Sequence, residues 1–250
     1  LYSSQLNYFK GMIFKINSAE DSWLKEAYEK AMAELGQFFG INWLENKPKV
    51  FTLPDRKTID EIKGQSTPRW VVGFGGMGMG GVYLLDRANL EKESDNTYSD
   101  ERYEALLKHE LSHCFMEVVT KGYRRPLWLM EGLAIYLSGQ LQWYKQPDKF
   151  EKFLESYDKQ GEKIYTESGF AIKFLIEKYG KEKIIELLKQ LIIRPDENKF
   201  KEICKRTHDL TVGALGDYKL RLPRIFSSLI FNVFSNDCLI DTHGGDKVAI

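Results

Sequence analysis

The stretch Ser99-Asp-Glu-Arg-Tyr-Glu-Ala-Leu-Leu-Lys-His-Glu-Leu-Ser-His-Cys-Phe-Met-Glu-Val-Val-Thr-Lys-Gly122 decides how the rest of the chain is read. It is the longest helical pattern in the sequence, expected to run over 99–121 and to stop at Gly122. Inside it lies His109-Glu-Leu-Ser-His113. Residues four apart on a helix share a face, so both imidazoles can reach one metal ion. Glu110 stands about 100° further round the helix. From there a carboxylate reaches a metal-bound water without ligating the metal and can serve as general base. Such a site needs a third protein ligand and leaves a fourth position for water. A buried helix can carry two histidines with no metal, but this chain has only four histidines and two of them fall here.

The third ligand is expected at Glu131. Arg124-Arg125-Pro126 makes a turn, and a new helix opens with Leu127-Trp-Leu-Met-Glu-Gly-Leu-Ala134. A short connection implies an antiparallel helix pair, which carries Glu131 back alongside the histidines. Two histidines and a glutamate form a known catalytic zinc set, so the expected cofactor is one Zn2+ ion.

Working outward, 11–16 reads as a strand, and Ser18-Ala-Glu-Asp21 as the start of a helix ending at Gly40. A strand follows at 49–53 and a brief helix at 54–64. Two more strands, 69–74 and 81–86, flank Gly75-Gly-Met-Gly-Met-Gly-Gly81. Helices are expected at 126–138, 147–160, 168–179, 182–193 and 196–207. Strands first and helices afterwards give an α+β class: a small sheet-bearing part over about 1–98 and a mostly helical part over about 99–212. The segment 213–250 reads as a C-terminal extension without a clear pattern.

Composition narrows the function classes. The 250 residues are 43% hydrophobic, enough for a substantial core. Basic and acidic side chains balance at 36 each, without the cationic excess that phosphate backbones demand, so no nucleic-acid partner is expected. Three scattered cysteines make neither a disulfide framework nor a thiolate zinc site. The apolar run 225–234 falls well short of the roughly 20 residues a membrane-spanning helix needs. The first residues carry no basic–apolar–small pattern, and the sequence leaves the compartment open.

The sequence resembles the gluzincin metallopeptidases, in particular the compact peptidase MA-like domains related to the catalytic domain of gluzincin aminopeptidases. His109-Glu-Leu-Ser-His113 followed by Trp128-Leu-Met-Glu-Gly-Leu-Ala-Ile-Tyr136 carries the likeness, which covers roughly 18–207. It implies a zincin-like fold, one domain over 1–212 and hydrolysis of peptide bonds in a peptide or protein substrate. By position it implies His109, His113 and Glu131 as zinc ligands and Glu110 as general base. The 17 residues between His113 and Glu131 are one fewer than in the larger aminopeptidases. Tyr165, in Tyr165-Thr-Glu-Ser-Gly169, matches the family's oxyanion-binding tyrosine but stands one residue further from the glycine; helix packing or capping is its alternative. Gly78, Met79, Gly80 and Gly81 occupy the family's substrate-edge segment, so a peptide is expected to pair with the 81–85 edge; a plain turn between strands is the alternative. The family's amine-gripping glutamate is missing there, which favours an endopeptidase over an aminopeptidase. An inactive zinc-bearing binding module is the reading from another class.

Other residues read more plainly. Cys114 is expected in the core. Glu117, one turn beyond His113, reads as a surface carboxylate, with orientation of a ligand as the alternative. Trp128 and Tyr136 fit a buried helix face, and His208 and His243 read as incidental. Arg124 and Arg125 shape the loop or offer a cation to a substrate carboxylate.

Overall fold

The computed structural model describes residues 20–147, 157–158 and 164–212. Helix α1, Ser22–Phe39, begins where the Asp21 side chain accepts the Leu24 N–H at 3.0 Å and ends at Gly40, whose φ of 67° breaks the spiral. Its buried Ala27, Ala31, Leu35 and Phe39 recur every four residues, one stripe facing inward. Strand β1, Lys49–Leu53, leads into α2, Arg56–Lys63, capped by Asp55. Strands β2, Gly73–Gly76, and β3, Gly81–Leu85, complete a mixed sheet in the order β1-β3-β2. β1 runs parallel to β3, with Lys49 opposite Gly81, and β2 runs antiparallel to it, with Gly73 opposite Leu84.

After the short α3, Leu90–Glu93, the chain is helical: α4 Asp100–Thr120, α5 Leu127–Ser138, α6 Ile164–Tyr179, α7 Lys181–Gln190 and α8 Glu197–Val212. Ser99 caps α4 by accepting the Arg102 N–H. The class is thus α+β, mostly helical with a small three-stranded sheet. One core runs through both halves of the chain, joining Leu35 of α1, Leu84 of β3, Leu107 and Phe115 of α4, Leu133 of α5, Ile172 of α6 and Leu188 of α7. Phe39 stacks on Phe115 and Trp43 meets its edge, while the buried Tyr103 hydroxyl of α4 donates to the Leu85 carbonyl. A smaller cluster of Leu53, Ile59, Phe74 and Leu85 lies under α2. No helix among the described residues is long and apolar enough to cross a membrane.

Two elements are displaced from their expected places. The strand read at 69–74 is instead at Gly73–Gly76. Val71 N–H closes a turn on Pro68, and Arg56 ties this loop down by donating to the carbonyls of Arg69 and Val71, so Trp70 and Val71 stay outside the ladder and only the Val72 carbonyl reaches β3. Helix α6 starts at Ile164 rather than 168, which puts Tyr165 within its first turn. The expected strand at 11–16 and the extension 213–250 lie outside the described residues, as does 147–160 apart from Pro147, Tyr157 and Asp158.

α5 and α6 touch backbone to backbone at Gly132. A Cβ there would stand 2.6 Å from the Ser168 carbonyl oxygen. Gly132→Ala must therefore push the helices apart. Overpacking of this kind costs about 1–3 kcal/mol, and calorimetry should show Tm falling by several degrees.

Candidate functional site

Helix α4 presents Leu106, His109, Glu110, His113 and Glu117 on one face, the successive turns offset by three or four residues and Glu110 adjacent to His109. Between this face, β2 and α5 lies a cleft of about 900 Å3. The short turn at Arg124-Arg125-Pro126 folds α5 back against α4, and Glu131 reaches the histidines. His109 Nε2 lies 3.3 Å from His113 Nε2 and 3.4 Å from Glu131 Oε2, and His113 Nε2 lies 3.7 Å from that oxygen. Donor atoms held about 2.0–2.1 Å from a tetrahedral ion stand about 3.3–3.4 Å apart. The three groups fit a zinc-sized cation, and they are the one such cluster among the described residues.

The ring of His109 is held from behind. Its Nδ1 lies 3.0 Å from Gln140 Oε1. A carbonyl oxygen only accepts, so Nδ1 carries the proton and Nε2 turns its lone pair toward Glu131 and His113. Gln140 comes from the turn just after α5, beyond the Gly139 cap. No motif announces it; only its place one turn past the Glu131 helix does.

Charge and burial set the proton affinities. Burial pushes the Glu110 carboxyl above the ordinary glutamate value, against the opposing pull of His109 and His113. Burial alone would lower His113, but the Glu131 carboxylate beside it, with Glu110, outweighs this and raises its pKa. Glu131 is pushed up by burial and pulled down more strongly by the two imidazoles, ending well below the usual carboxylate range.

Glu110 does not share the three-ligand cluster. Its carboxylate lies against Gly73 of β2, where an added Cβ would meet Glu110 Oε1 at 2.8 Å and Leu106 at 3.0 Å. The missing side chain brings the strand edge up to this carboxylate. Tyr165 lines the same cleft, edge-on to Trp70 with ring centroids 6.1 Å apart.

The glycine-rich segment is arranged differently from its expectation. β3 is the central strand, with β1 on one side and β2 on the other, so the 81–85 edge is not open to a peptide. Gly81 faces β1, where a Cβ would strike the Lys49 carbonyl at 2.0 Å. Met77–Met79 forms a single tight turn; Met79 lines the cleft, whereas Gly78, Gly80 and Gly81 do not. The open edge belongs to β2. Leu85 N–H donates to the Val72 carbonyl, so by antiparallel alternation Phe74 also bonds β3 while Gly73 and Gly75 turn outward. The outward Gly75 carbonyl accepts from Arg124.

Glu117 is a further correction: it is 6% exposed, not a surface carboxylate. One oxygen accepts the Met77 N–H at 2.8 Å and the other is ion-paired with Arg124, so it braces the far end of β2. Arg125 pairs with Asp158, and Cys114 is fully buried. No family model, curated protein or solved structure matches the chain.

Two outcomes follow for a metal held by these groups. Gln140→Leu removes the acceptor behind His109 and should weaken zinc about 10–100-fold in chelator competition, whereas Gln140→Glu should restore binding. Metal ligation needs a neutral His113, so protons compete with it. Because that pKa is raised, zinc affinity should be full above it and fall as pH drops through it, starting above the ordinary imidazole value of about 6.5. Calorimetric titrations across pH would read both the loss and the proton release.

Proposed function

We propose that the chain is a zinc-dependent metallopeptidase of the gluzincin type, with a zincin-like domain and an endopeptidase mode. The observation that carries this reading is the convergence of His109, His113 and Glu131, with Glu110 beside them against an open strand edge. Two imidazoles and a carboxylate are the donor chemistry zinc takes, and the open β2 edge suits an extended peptide.

Bound zinc supplies Lewis acidity, bringing the pKa of a coordinated water to about 7 and polarising a carbonyl. The chain's own residues do the rest. The outward amide and carbonyl groups of Gly73 and the N–H of Gly75 hold the substrate backbone, and the absent side chains let it approach. Glu110 takes the proton of the attacking water and returns it to the departing amine nitrogen. Its burial favours this role, because a carboxylate that binds its proton more tightly than usual is the better base. Tyr165, from the first turn of α6, is the hydroxyl assigned to the developing oxyanion.

A second reading, an aminopeptidase, draws on Glu117: helix α4 supplies a carboxylate beside Gly76 and Met77 where the strand itself has none. The ion pair with Arg124 occupies it, which favours the endopeptidase. An inactive zinc-bearing binding module is the remaining alternative.

Digestion of a mixed peptide library, read by mass spectrometry, separates these readings. Zinc-loaded wild type should make internal cuts, and Glu110→Gln should keep its zinc and lose turnover by at least about 100-fold, as removal of a general base does. Stepwise trimming from the amino end would favour the aminopeptidase. Zinc binding without cleavage would favour the binding module, and loss of zinc in Glu110→Gln would overturn the assigned role of Glu110.

A further inference from the structure

Beyond the zinc cleft, a second cavity of about 280 Å3 opens on the other side of Gln140, where α4 begins. The two cavities share Val72, Asn96, Leu106, Gln140 and Tyr144 in their walls, so they adjoin. Among the described residues lining the second cavity, Arg102 is the only charged one. Its guanidinium carbon rests 4.8 Å from the centre of the Trp143 ring, and no carboxylate among the described residues pairs with it. The stacking holds the guanidinium over the cavity while leaving its N–H groups for a ligand. Asn96 and Ser99 add polar walls.

The position of this cation along the cleft fixes what it reads. β2 starts with Gly73 beside Glu110 and ends with Gly76 beside Glu117, so it runs in the same direction as α4. A peptide added antiparallel, the more stable pairing, runs from Gly76 past Gly73 toward Val72, carboxyl end leading. Val72 lines both cavities, so the carboxyl-terminal side of the peptide heads for Arg102. Arg102 precedes Glu110 by eight residues, about 12 Å along the helix axis. An extended chain rises about 3.3 Å per residue, and the arginine side chain reaches back part of the way.

We infer that Arg102, stacked on Trp143, is a carboxylate-binding subsite that selects substrates with a negative charge two or three residues beyond the scissile bond on its carboxyl-terminal side. The shared chemistry is a carboxylate, supplied either by the free chain terminus or by an aspartate or glutamate side chain. This inference rests on the peptidase reading above.

The test uses zinc-loaded protein and two randomised octapeptide libraries, one with free carboxyl termini and one amidated. In the free library cuts should fall two or three residues from the terminus; in the amidated one they should precede Asp or Glu at that spacing. Arg102→Gln should lower this preference about tenfold or more, the effect of a lost charge-assisted hydrogen bond. Arg102→Glu should turn the preference toward Lys and Arg, which a merely structural role would not do. Cut positions unaffected by amidation, by acidic residues and by both substitutions would overturn the inference while leaving the peptidase intact. If wild type cuts nothing, the peptidase reading fails by itself. Fluorescence anisotropy with fluorescein-labelled octapeptides, free and amidated, then reads Arg102 directly: carboxylate- and Arg102-dependent binding supports the subsite, and binding without that dependence, or no binding, overturns it.

Discussion

Burial of ionisable groups on a core helix is the constraint around which this molecule is built. His109, Glu110 and Glu117 of α4 are each less than a tenth exposed, on a helix whose other faces carry Leu107, Leu111, Cys114 and Phe115 into the core. Burying such groups without partners is costly. Each is met from a different element: Gln140 behind His109, Glu131 from α5 between the imidazoles, and the Met77 amide and Arg124 at Glu117. Glu110 meets a glycine strand and keeps its proton more tightly. The placement of α5, of the turn after it and of β2 follows from satisfying α4.

The parts legible in the sequence are those set by local spacing. The four-residue interval of His109 and His113, the extent of helix α4 and the short turn before α5 are local, and each has its counterpart in the structure. Glu131 came within reach because a short turn leaves two helices little choice but to lie side by side. What stayed hidden depends on contacts between distant segments. Glu117 looks like a solvated charge until Met77 and Arg124, from two other segments, close over it. Gln140 is one polar residue among many until its carbonyl is found at His109. Strand propensity points to Trp70-Val-Val72, whose side chains suit a strand, yet β2 forms over the glycine-rich Gly73–Gly76. Here the side chains of Arg56 and the approach of α4 override propensity, and the pairing falls where side chains are absent.

The order of the sheet shapes what the cleft can do. With β3 enclosed by β1 and β2, the backbone groups left toward the cleft belong to a strand that is three parts glycine. Such a strand is weak alone, having little side-chain area to pack. Phe74 supplies the exception: it stacks on Tyr83 and anchors the small cluster beneath α2. The strand is pinned at both ends, by Val72 to Leu85 at one and by Arg124 at the Gly75 carbonyl at the other.

A strand edge nearly bare of side chains also has an informational consequence. Backbone groups look alike in every peptide, so an edge made of glycine holds a guest while learning almost nothing about its sequence. Discrimination by such a cleft would fall to the side chains around the edge: Trp70, Met79 and Tyr165 on its walls, the Glu117–Arg124 pair at the far end of β2, and Arg102 in the adjoining cavity. Those side chains lie outside the three-ligand cluster, so in the peptidase proposed above guest preference could change while the ligand set stays the same.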